Sequence, residues 1–328
     1  MIKTKVSAIV SNFNGAKFLP KLIQSLEAQV GVDVEVIVVD RQSSDRSLDI
    51  LGEYQGVKVV TEPPESGLVS GYAEGAKHAT SDLFFFCNED MWFAEDCLRK
   101  LVEQIDLANR VGSADPWQWT YDGKIWIHGG VAFEKAFFDP NVPYPFRRHL
   151  NTVDIPTGTE IPFGCAGAIL IHRSVYEQLG GWDTSFFLDH EDVDFFIRSW
   201  QDNWKCVSVP DAKVFHAVGA SNSKTTKQGT VSKKRYISGR SSIMTIGVKY
   251  FSLPFLPLPF LIILAGLAKN LCCLRLTRCW WTLLAIKDFC SRLPHSYAYR
   301  RRRYALWPSK AGEQYFRTIK YQANRLNA

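Results

Sequence analysis

The sequence predicts an α/β fold in which a doubly wound, mixed sheet carries helices on both faces and is followed by a C-terminal helical region. Three observations lead to this prediction. Short apolar runs alternate with amphipathic helical segments in the first part of the chain. Polar side chains follow directly after several of these runs. The last eighty residues are rich in apolar and basic side chains, so we expect one domain at 1–248 and a second region at 249–328.

Four apolar runs are predicted to be the strands of the first half, at residues 6–10, 34–39, 57–60 and 83–87. A helical pattern follows each run, near residues 18–26, 48–51, 67–79 and 98–107. Ser43, Ser44 and Asp45 are predicted to cap the second of these helices. Because strands and helices alternate, residues 1–110 are predicted to form a mostly parallel sheet.

The second half of the domain, residues 111–248, has a weaker pattern. Residues 112–159 are rich in Trp, Pro and Tyr, which predicts loops and antiparallel strands that cover a site. Apolar residues recur at helical spacing from Val193 to Trp200 and predict a helix. Residues 206–209 predict another strand, and the polar, Lys-rich segment 221–234 predicts a mobile loop.

Several side chains lie just beyond the ends of the predicted strands, namely Ser11, Phe13, Asp40, Asn88 and Asp90. In doubly wound sheets, ligands bind outside the carboxyl ends of the strands, so the sequence predicts a ligand site there. Asp40 would accept hydrogen bonds from a base or a ribose hydroxyl. It could instead cap the next turn, and residues 88–90 could form an ordinary surface turn.

A divalent cation is predicted beside the fourth strand. Asn88-Glu89-Asp90 offers oxygen ligands at the mouth of the sheet, where Mg²⁺ or Mn²⁺ could bind together with substrate phosphates. His216 follows a later apolar run, although a single histidine in such a place is more often structural. The sequence lacks both Gly-x-Gly-x-x-Gly and the P-loop pattern, which argues against a Rossmann dehydrogenase and a P-loop enzyme.

A dense acidic cluster lies in the middle of the chain. Its carboxylates are Asp189, Glu191, Asp192 and Asp194, and its flanking aromatic residues are Phe186, Phe187, Phe195 and Phe196. One interpretation is that the acids cap the helix that begins here. The other is a general base beside a groove, because a carboxylate shielded by aromatic rings has a raised pKa and can accept a proton near neutral pH.

Composition narrows the class of protein. The chain has 328 residues, 46% hydrophobic and 22% charged, which are globular values. Eight cysteines without a Cys-x-x-Cys pair argue against a disulfide framework or a zinc site and favour a reducing compartment. No secretory signal is expected, since the N-terminus leads straight into a strand.

The C-terminal region combines apolar and basic residues. Residues 250–268 carry no charge and contain three prolines, residues 279–286 add two tryptophans, and residues 300–303 are four arginines. The net charge of +6 arises here, because 13 Lys and Arg but only 2 acidic residues follow from Lys269 onward. This order predicts a peripheral or re-entrant anchor on an anionic membrane surface. A helical hairpin that covers the domain's own core is the alternative, and the apolar run argues against nucleic acid.

Taken together, the motifs resemble the family 2 inverting glycosyltransferases, in particular the bacterial rhamnosyltransferase-like branch. The resemblance covers residues 4–250. The motifs that carry it are Val6–Gly15, Val36–Asp40 with Ser43–Ser47, Gly67–Gly75, Asn88–Asp90, Gly180–Asp194 and Pro210–His216. Two positions depart from the family pattern: Asn88 replaces the first Asp of an Asp-x-Asp motif, and Ala73 stands where Asn is usual.

The resemblance implies a GT-A fold, with a nucleotide-sugar half at 1–110 and an acceptor half at 111–248. It implies a nucleoside-diphosphate sugar donor, dTDP-rhamnose or a UDP-sugar, and Mg²⁺ or Mn²⁺ as cofactor. Asp192 would be the catalytic base and Glu191 its neighbour that orients the acceptor. The implied donor-binding residues are Ser11, Phe13, Asp40, Gly67, Gly71 and Asn88. The implied metal ligands are Asp90, Asn88 and His216.

The resemblance and the C-terminal region together suggest a glycan acceptor, in particular a lipid-linked one, used at the cytoplasmic face of the inner membrane. Two alternatives come from other classes of protein. A sugar nucleotidylyltransferase would need a Gly-rich, basic loop after the first strand, and residues 11–18 lack it. A non-catalytic membrane scaffold would be expected to lose Asp90 or Asp192, and both are present.

Overall fold

The computed structural model describes residues 3–63, 65–129, 131–134, 146–149, 156–161, 163–217, 232–250 and 256–304. Parts of the sequence predictions therefore lie outside the described residues. They are 130, 135–145 and 150–155 of the segment predicted to cover the site, 221–231 of the predicted polar loop, 251–255 of the uncharged run, and the terminal stretch 305–328.

The first half of the chain alternates between strands and helices as predicted. Its strands are β1 (Thr4–Asn12), β2 (Val32–Asp40), β3 (Val57–Thr61), β4 (Leu83–Asn88) and the short β5 (Met91–Phe93). Its helices are α1 (Leu19–Glu27), α2 (Ser47–Gly52), α3 (Leu68–His78) and α4 (Cys97–Val102). The predicted capping of α2 by Ser43, Ser44 or Asp45 is not found, because Arg46 is the N-cap residue and makes no side-chain cap. Asp45, one residue earlier, accepts a hydrogen bond from Ser47 N at 3.0 Å.

The second half completes the sheet and ends in helices. Its strands are β6 (Val111–Thr120), β7 (Trp126–His128), β8 (Val131–Glu134), β9 (Phe146–His149), β10 (Thr159–Ile161), β11 (Ala168–His172) and β12 (Lys205–His216). Its helices are α5 (Arg173–Gln178), α6 (Glu191–Gln201), α7 (Lys233–Tyr250), α8 (Leu258–Cys272) and α9 (Leu276–Tyr304).

The main sheet is mixed, with the strand order β10-β12-β6-β11-β4-β1-β2-β3. Strands β4, β1, β2 and β3 are parallel, and β11 lies antiparallel between β4 and β6. Side chains alternate along β1, so Val6, Ala8 and Val10 pack in one core while Ile9 packs in the other. Helices therefore cover both faces of the sheet, as a doubly wound fold requires.

Residues 111–120 depart from the prediction of loops and antiparallel strands covering the site. They form β6, which lies inside the main sheet between β11 and β12. Asp115 and Pro116 interrupt the apolar pattern of this strand, although both are buried. Pairing with neighbours distant in sequence places the strand here, and a local pattern does not carry that information.

Two element boundaries also differ from the prediction. Helix α4 ends at Val102 instead of Leu107, because the chain turns at Asp106, whose Oδ1 accepts a hydrogen bond from Asn109 N at 3.1 Å. The runs predicted at 206–209 and 214–216 belong to one strand, β12, whose register shifts between Val209 and Lys213.

The C-terminal helices pack on one another and on the domain. Met244 and Val248 of α7 form a small core with Ile263 of α8 and Phe289 of α9. The boundary predicted between 248 and 249 falls inside α7, and the division into two regions stays a prediction. Within the described ranges, no helix has the length and apolar character needed to cross a bilayer.

The α8–α9 hairpin leaves many apolar side chains in solvent. On α8 they are Leu261, Ile262, Leu264 and Leu271, which are 57%, 41%, 53% and 50% exposed. On α9 and the turn before it they include Leu274, Leu276, Trp280 and Leu283, which are 83%, 68%, 58% and 48% exposed. Exposed apolar side chains at this density are more than scattered single residues on a protein surface.

Glu35 lies near the start of β2, at the edge of the sheet opposite the carboxyl ends of the parallel strands. Its hydrogen bonds hold this edge together. Its carboxylate accepts hydrogen bonds from Ser7 Oγ and from the backbone N and hydroxyl of Thr80, the last two at 2.5 and 2.7 Å. Burial alone would raise the pKa of Glu35, but these hydrogen bonds together with Lys5 lower it from 4.5 to about 2.

We therefore expect Glu35→Gln to lower the free energy of unfolding at pH 7 by about 1–2 kcal/mol, since the hydrogen bonds to a charged acceptor are lost. A depressed carboxyl pKa stabilises the fold above the unfolded-state value, and this contribution disappears as pH falls toward 2. Urea unfolding at pH 7 and pH 2.5 should show the difference between variant and parent shrinking in acid. Glu53→Gln, at an exposed position, is the control; an equal effect at both pH values in Glu35→Gln would contradict the account.

Candidate active site

Asp40 lies fully buried where β2 ends. Its Oδ2 accepts hydrogen bonds from Asn12 Nδ2 at 2.6 Å and from Ser43 Oγ at 2.7 Å, and its Oδ1 accepts one from Ser43 N at 2.8 Å. Asp40 thus fixes the turn that follows it, which was the structural alternative. These contacts also hold the carboxylate rigidly at the carboxyl edge of the sheet, where a ligand of the parallel strands would bind.

Ser11 and Gly71 bring β1 and α3 into close contact. A Cβ atom at Gly71 would lie 2.3 Å from Ser11 Oγ, so only glycine allows this approach. Ser11 Oγ is buried and has no hydrogen-bond partner in the described part of the chain. A buried hydroxyl without a partner is costly, so Ser11 has a free donor and acceptor beside the predicted ligand site.

Arg41 is a residue of the candidate site that the sequence analysis did not single out. Its guanidinium carbon lies 5.2 Å from the centroid of the Phe13 ring, and its Nη1 donates to Ser66 O at 3.3 Å. Burial lowers the pKa of Arg41, and the charges of Glu89 and Asp40 act in the opposite direction. The sequence signal that could have identified Arg41 was its position directly after Asp40, at the end of a predicted strand.

Gly67 lies where α3 meets the loop before α6. Leu68 N donates to Phe187 O at 3.0 Å, and a Cβ atom at Gly67 would lie 2.4 Å from that same oxygen. The close backbone approach joins the entry of α3 to the segment that leads into Glu191. Gly67 therefore positions backbone rather than offering a side chain to a ligand.

Asn88 and Asp90 frame the turn after β4. Asn88 Oδ1 accepts a hydrogen bond from the hydroxyl of the fully buried Tyr72 at 2.7 Å. Asp90 is 4% exposed, and its Oδ1 lies 3.1 Å from His216 Nε2. Pairing of β5 with β12 brings these two residues together, and the other ring nitrogen of His216 lies 3.0 Å from Gln118 Oε1.

Glu89 lies between Asn88 and Asp90 and is also buried. Burial and, next, the charge of Asp90 raise the pKa of Glu89 to about 8, while Arg41 acts in the opposite direction. Carboxylates crowded in this way repel one another unless a proton or a cation neutralises them. The turn thus has the electrostatic character of a cation site.

The donor set fits a divalent cation only in part. The described residues contain no group of three or more His, Cys, Asp or Glu side chains arranged to hold a metal ion. Asp90 and His216 supply one carboxylate and one imidazole in contact. Mg²⁺ and Mn²⁺ sites in nucleotide enzymes commonly use one or two protein groups and complete their shell with water and substrate phosphates, and the pair matches that pattern.

The four acids of the central cluster differ in their contacts, and two of them form buried or partly buried ion pairs. Asp194 is fully buried and bonds with Arg198 Nε at 2.9 Å, with Tyr250 Oη at 2.6 Å and with Lys249 Nζ. Asp189 pairs with Arg235 Nη2 at 3.0 Å. Both acids thus connect α6 and the loop before it to α7.

Glu191 and Asp192 remain at the first turn of α6. They are 6% and 5% exposed, and Asp192 Oδ1 accepts a hydrogen bond from Val193 N at 2.8 Å. Burial and, next, the charge of Asp192 raise the pKa of Glu191 well above its usual value. His190 precedes the helix in a left-handed conformation and makes no side-chain cap, so the capping interpretation fails at that residue.

The two acidic clusters meet at Tyr72. Its hydroxyl bonds to Asn88, and its pKa is raised first by burial and then by nearby negative groups that include Glu191 and Glu89. Its ring lies 6.2 Å from that of Trp182, which in turn lies 4.7 Å from Phe195 of α6. The turn at 88–90 and the start of α6, about a hundred residues apart in sequence, therefore both lie near Tyr72.

The mixed sheet with helices on both faces is a GT-A fold, and two solved structures share this fold with the chain. The chain matches a GalNAc-T7 structure with UDP, GalNAc and Mn²⁺ at a TM-score of 0.58 and 18% identity, covering 74% of this chain and 48% of that one. It matches a mannosyltransferase of Pyrobaculum calidifontis in complex with GDP-Man and Mn²⁺ at 0.52 and 16%, covering 98% and 85%.

Sequence comparison gives the family. The model of Glycosyl transferase family 2 matches residues 7–180, so the chain belongs to this family and is a glycosyltransferase. It is 24% identical over 250 residues to an uncharacterized glycosyltransferase of Bacillus subtilis, covering 74% of this chain and 85% of the relative. It is 23% identical over 235 residues to the N-acetylglucosaminyl-diphospho-decaprenol L-rhamnosyltransferase of Mycobacterium tuberculosis, covering 65% and 76%.

The buried contact between α6 and α7 can be tested apart from activity. Lys249 is 3% exposed and lies 2.7 Å from Asp183 Oδ2 while also contacting Asp194. We expect Lys249→Met to lower the free energy of unfolding by about 3–5 kcal/mol, because two buried carboxylates lose the cation that they share, while Arg198 stays paired with Asp194. Lys233→Met, on the exposed first turn of α7, should change it by less than about 0.5 kcal/mol. Equal unfolding midpoints in urea for the two variants would contradict this role of Lys249.

Proposed function

We propose that this glycosyltransferase moves a sugar from a nucleoside-diphosphate donor to a hydroxyl of a glycan acceptor, with inversion at the anomeric carbon. The observation that carries the proposal is the position of Tyr72, whose hydroxyl bonds to Asn88 and whose pKa is raised first by burial and then by both Glu191 and Glu89. We infer from it that Asn88–Asp90 and Glu191–Asp192 line one crevice. A direct displacement needs the leaving diphosphate and the general base on opposite sides of the sugar. One acidic cluster would face each side.

The donor would bind along the carboxyl edge of the sheet. Asp40, held by Asn12 and Ser43, would receive hydrogen bonds from the nucleoside, and Ser11 would offer its unpartnered hydroxyl. Phe13 would pack against the base, supported by Arg41. Gly67, Gly71 and Asn88 would shape the space for the ribose and diphosphate.

Asp90 and His216 are the residues that would hold Mg²⁺ or Mn²⁺, with Asn88 beside them. A divalent cation bound there would offset the charge that grows on the departing diphosphate. Glu89, whose pKa is raised to about 8, would add negative charge to the site once a cation lowers that pKa. Two of the solved GT-A structures similar to this chain contain Mn²⁺.

Asp192 would act as the base. Its carboxylate would take the proton from the attacking acceptor hydroxyl. Burial and, next, the charge of Asp192 raise the pKa of Glu191. This shift favours the protonated carboxyl, which could donate a hydrogen bond that orients the acceptor.

We propose dTDP-rhamnose as the first donor to test and UDP-sugars as the next. The M. tuberculosis relative is named as a rhamnosyltransferase that acts on a diphospho-decaprenol glycan. The GalNAc-T7 structure contains UDP. The name of the M. tuberculosis relative supports a lipid-linked acceptor. With such an acceptor, we propose a role in cell-surface polysaccharide synthesis.

We further propose that the enzyme works at the cytoplasmic face of the inner membrane, held by the α8–α9 hairpin as a peripheral or re-entrant anchor. The exposed leucines and Trp280 of the hairpin supply apolar contact area. The excess of Lys and Arg in this region would favour an anionic leaflet.

The base is tested by Asp192→Asn. We expect kcat to fall by about 10²–10⁴-fold, because the amide cannot accept the proton, while the Kd for the donor changes little. Transfer from dTDP-rhamnose and UDP-sugars with Mn²⁺ would be followed by release of nucleoside diphosphate, and donor binding by calorimetry. Asp202→Asn, at the other end of α6, is the matched control. Turnover near that of the parent in Asp192→Asn would refute the role of this residue.

Membrane association is tested on the hairpin surface. We expect the double variant Leu264→Glu with Leu283→Glu to lose most of its co-sedimentation with vesicles of phosphatidylglycerol and phosphatidylcholine, because two charges would enter the apolar contact. Leu48→Glu places the same charge on the exposed face of α2 and should leave binding unchanged. Equal binding by the parent and the double variant would exclude the hairpin as the anchor.

A further inference from the structure

Tyr236 joins the three C-terminal helices at one point. Its hydroxyl lies 3.0 Å from Thr282 Oγ1 of α9 and accepts a hydrogen bond from Asn270 Nδ2 of α8 at 3.2 Å. Its ring makes an edge contact with Trp281 at 5.5 Å between centroids. The side chain is 5% exposed, so its position is fixed by both helices of the hairpin.

Two arginines gather at this ring. The guanidinium carbon of Arg240 lies 3.5 Å from the centroid of Tyr236, and that of Arg278 lies 4.8 Å from it. Arg278 also lies over Trp281 at 5.0 Å. Both side chains are half-buried. The aromatic contacts thus hold two cations of like charge in fixed positions on adjacent helices.

The two guanidinium groups have no acidic partner within the described ranges. Neither forms an ion pair there, and burial together with the charge of Arg278 lowers the pKa of Arg240. Residues 212–328 contain only two acidic residues, Asp288 and Glu313. Asp288 is engaged by Arg292, and Glu313 lies outside the described residues. A half-buried pair of like charges is costly, and an external anion would relieve that cost.

The position of the pair limits which anion could bind. Arg235, five residues before Arg240 on α7, pairs with Asp189, and Ser238 Oγ accepts a hydrogen bond from Leu188 N at 3.2 Å. The start of α7 therefore contacts the loop that leads into Glu191. Trp280 and Leu283 of α9, the helix that carries Arg278, are among the exposed apolar residues. The two arginines thus lie on adjacent helices, of which one contacts the loop before α6 and the other carries exposed apolar side chains.

We propose that Arg240 and Arg278 form a binding site for the phosphate or diphosphate head of a membrane lipid. Guanidinium groups bind phosphate oxygens with two parallel hydrogen bonds, and two of them held by aromatic rings match a diphosphate well. The lipid chain would extend along the exposed face of the hairpin. This inference rests on the membrane location proposed above. It does not depend on the identity of the sugar.

The test uses the full chain and the double variant Arg240→Gln with Arg278→Gln. Binding is measured to phosphatidylcholine vesicles that contain a polyprenyl diphosphate, to vesicles that contain phosphatidylglycerol, and to inorganic diphosphate in solution. We expect the variant to bind the polyprenyl diphosphate vesicles at least about tenfold more weakly than the parent, since charge-assisted hydrogen bonds are lost. The control is Arg301→Gln with Arg302→Gln, which removes two exposed charges from the end of α9.

Comparing the binding of the three ligands identifies which anion the site takes. A loss with polyprenyl diphosphate alone assigns the site to a lipid-linked diphosphate, and an equal loss with phosphatidylglycerol assigns it to bilayer headgroups. Equal weakening in the two double variants, or binding of inorganic diphosphate alone, would overturn the proposal. The double variant Arg240→Lys with Arg278→Lys should recover part of the affinity that the glutamine variant loses. Thermal unfolding would show whether the glutamine variant is folded.

The same preparations separate this inference from the proposed function. If the parent turns over a nucleotide sugar while the glutamine variant binds all ligands as the parent does, only the phosphate site is wrong. If no nucleotide sugar is turned over but lipid binding depends on Arg240 and Arg278, the site stands and the proposed transfer reaction fails.

Discussion

The buried side chain of Tyr72 is the constraint on which the rest of the site depends. It projects from α3, bonds to Asn88 at the end of β4, and packs against Phe86 and Trp182. A buried phenol needs a hydrogen-bond partner, and Asn88 is that partner. Asn88, the departure from the Asp-x-Asp pattern, thus supports the link between the two halves of the crevice. An aspartate there would place another negative charge beside Glu89 and Asp90.

The acidic residues illustrate how one helix can serve structure and chemistry together. Asp194 points away from the crevice into a buried network with Arg198, Lys249 and Tyr250. Glu191 and Asp192, three and two residues earlier, lie at the first turn of the same helix, where burial and the charge of Asp192 raise the pKa of Glu191. The network around Asp194 anchors α6, and this fixes the position of the two acids at its start.

Much of the nucleotide-binding half could be predicted from the sequence, because its signals are local. Apolar runs gave β1 to β4, and the turn residues after them placed Asp40 and Asn88 at the sheet edge. The place of β6 inside the main sheet was not predicted, because it depends on pairing with β11 and β12, which are distant in sequence. Lys249 and Tyr72 were missed for a related reason, since their partners come from other elements. The family resemblance implied Asp90 and His216 as metal ligands, which stays a prediction, and the pairing of β5 with β12 brings their side chains into contact.

The account is tested most directly by the crystal structure of the enzyme with a bound nucleoside-diphosphate sugar and Mn²⁺. We predict that Asp90 lies beside the diphosphate. We also predict that the anomeric carbon lies next to Tyr72 and points toward the carboxylate of Asp192. A donor bound on another surface, or a sugar that lies in this crevice but out of reach of Asp192, would contradict it.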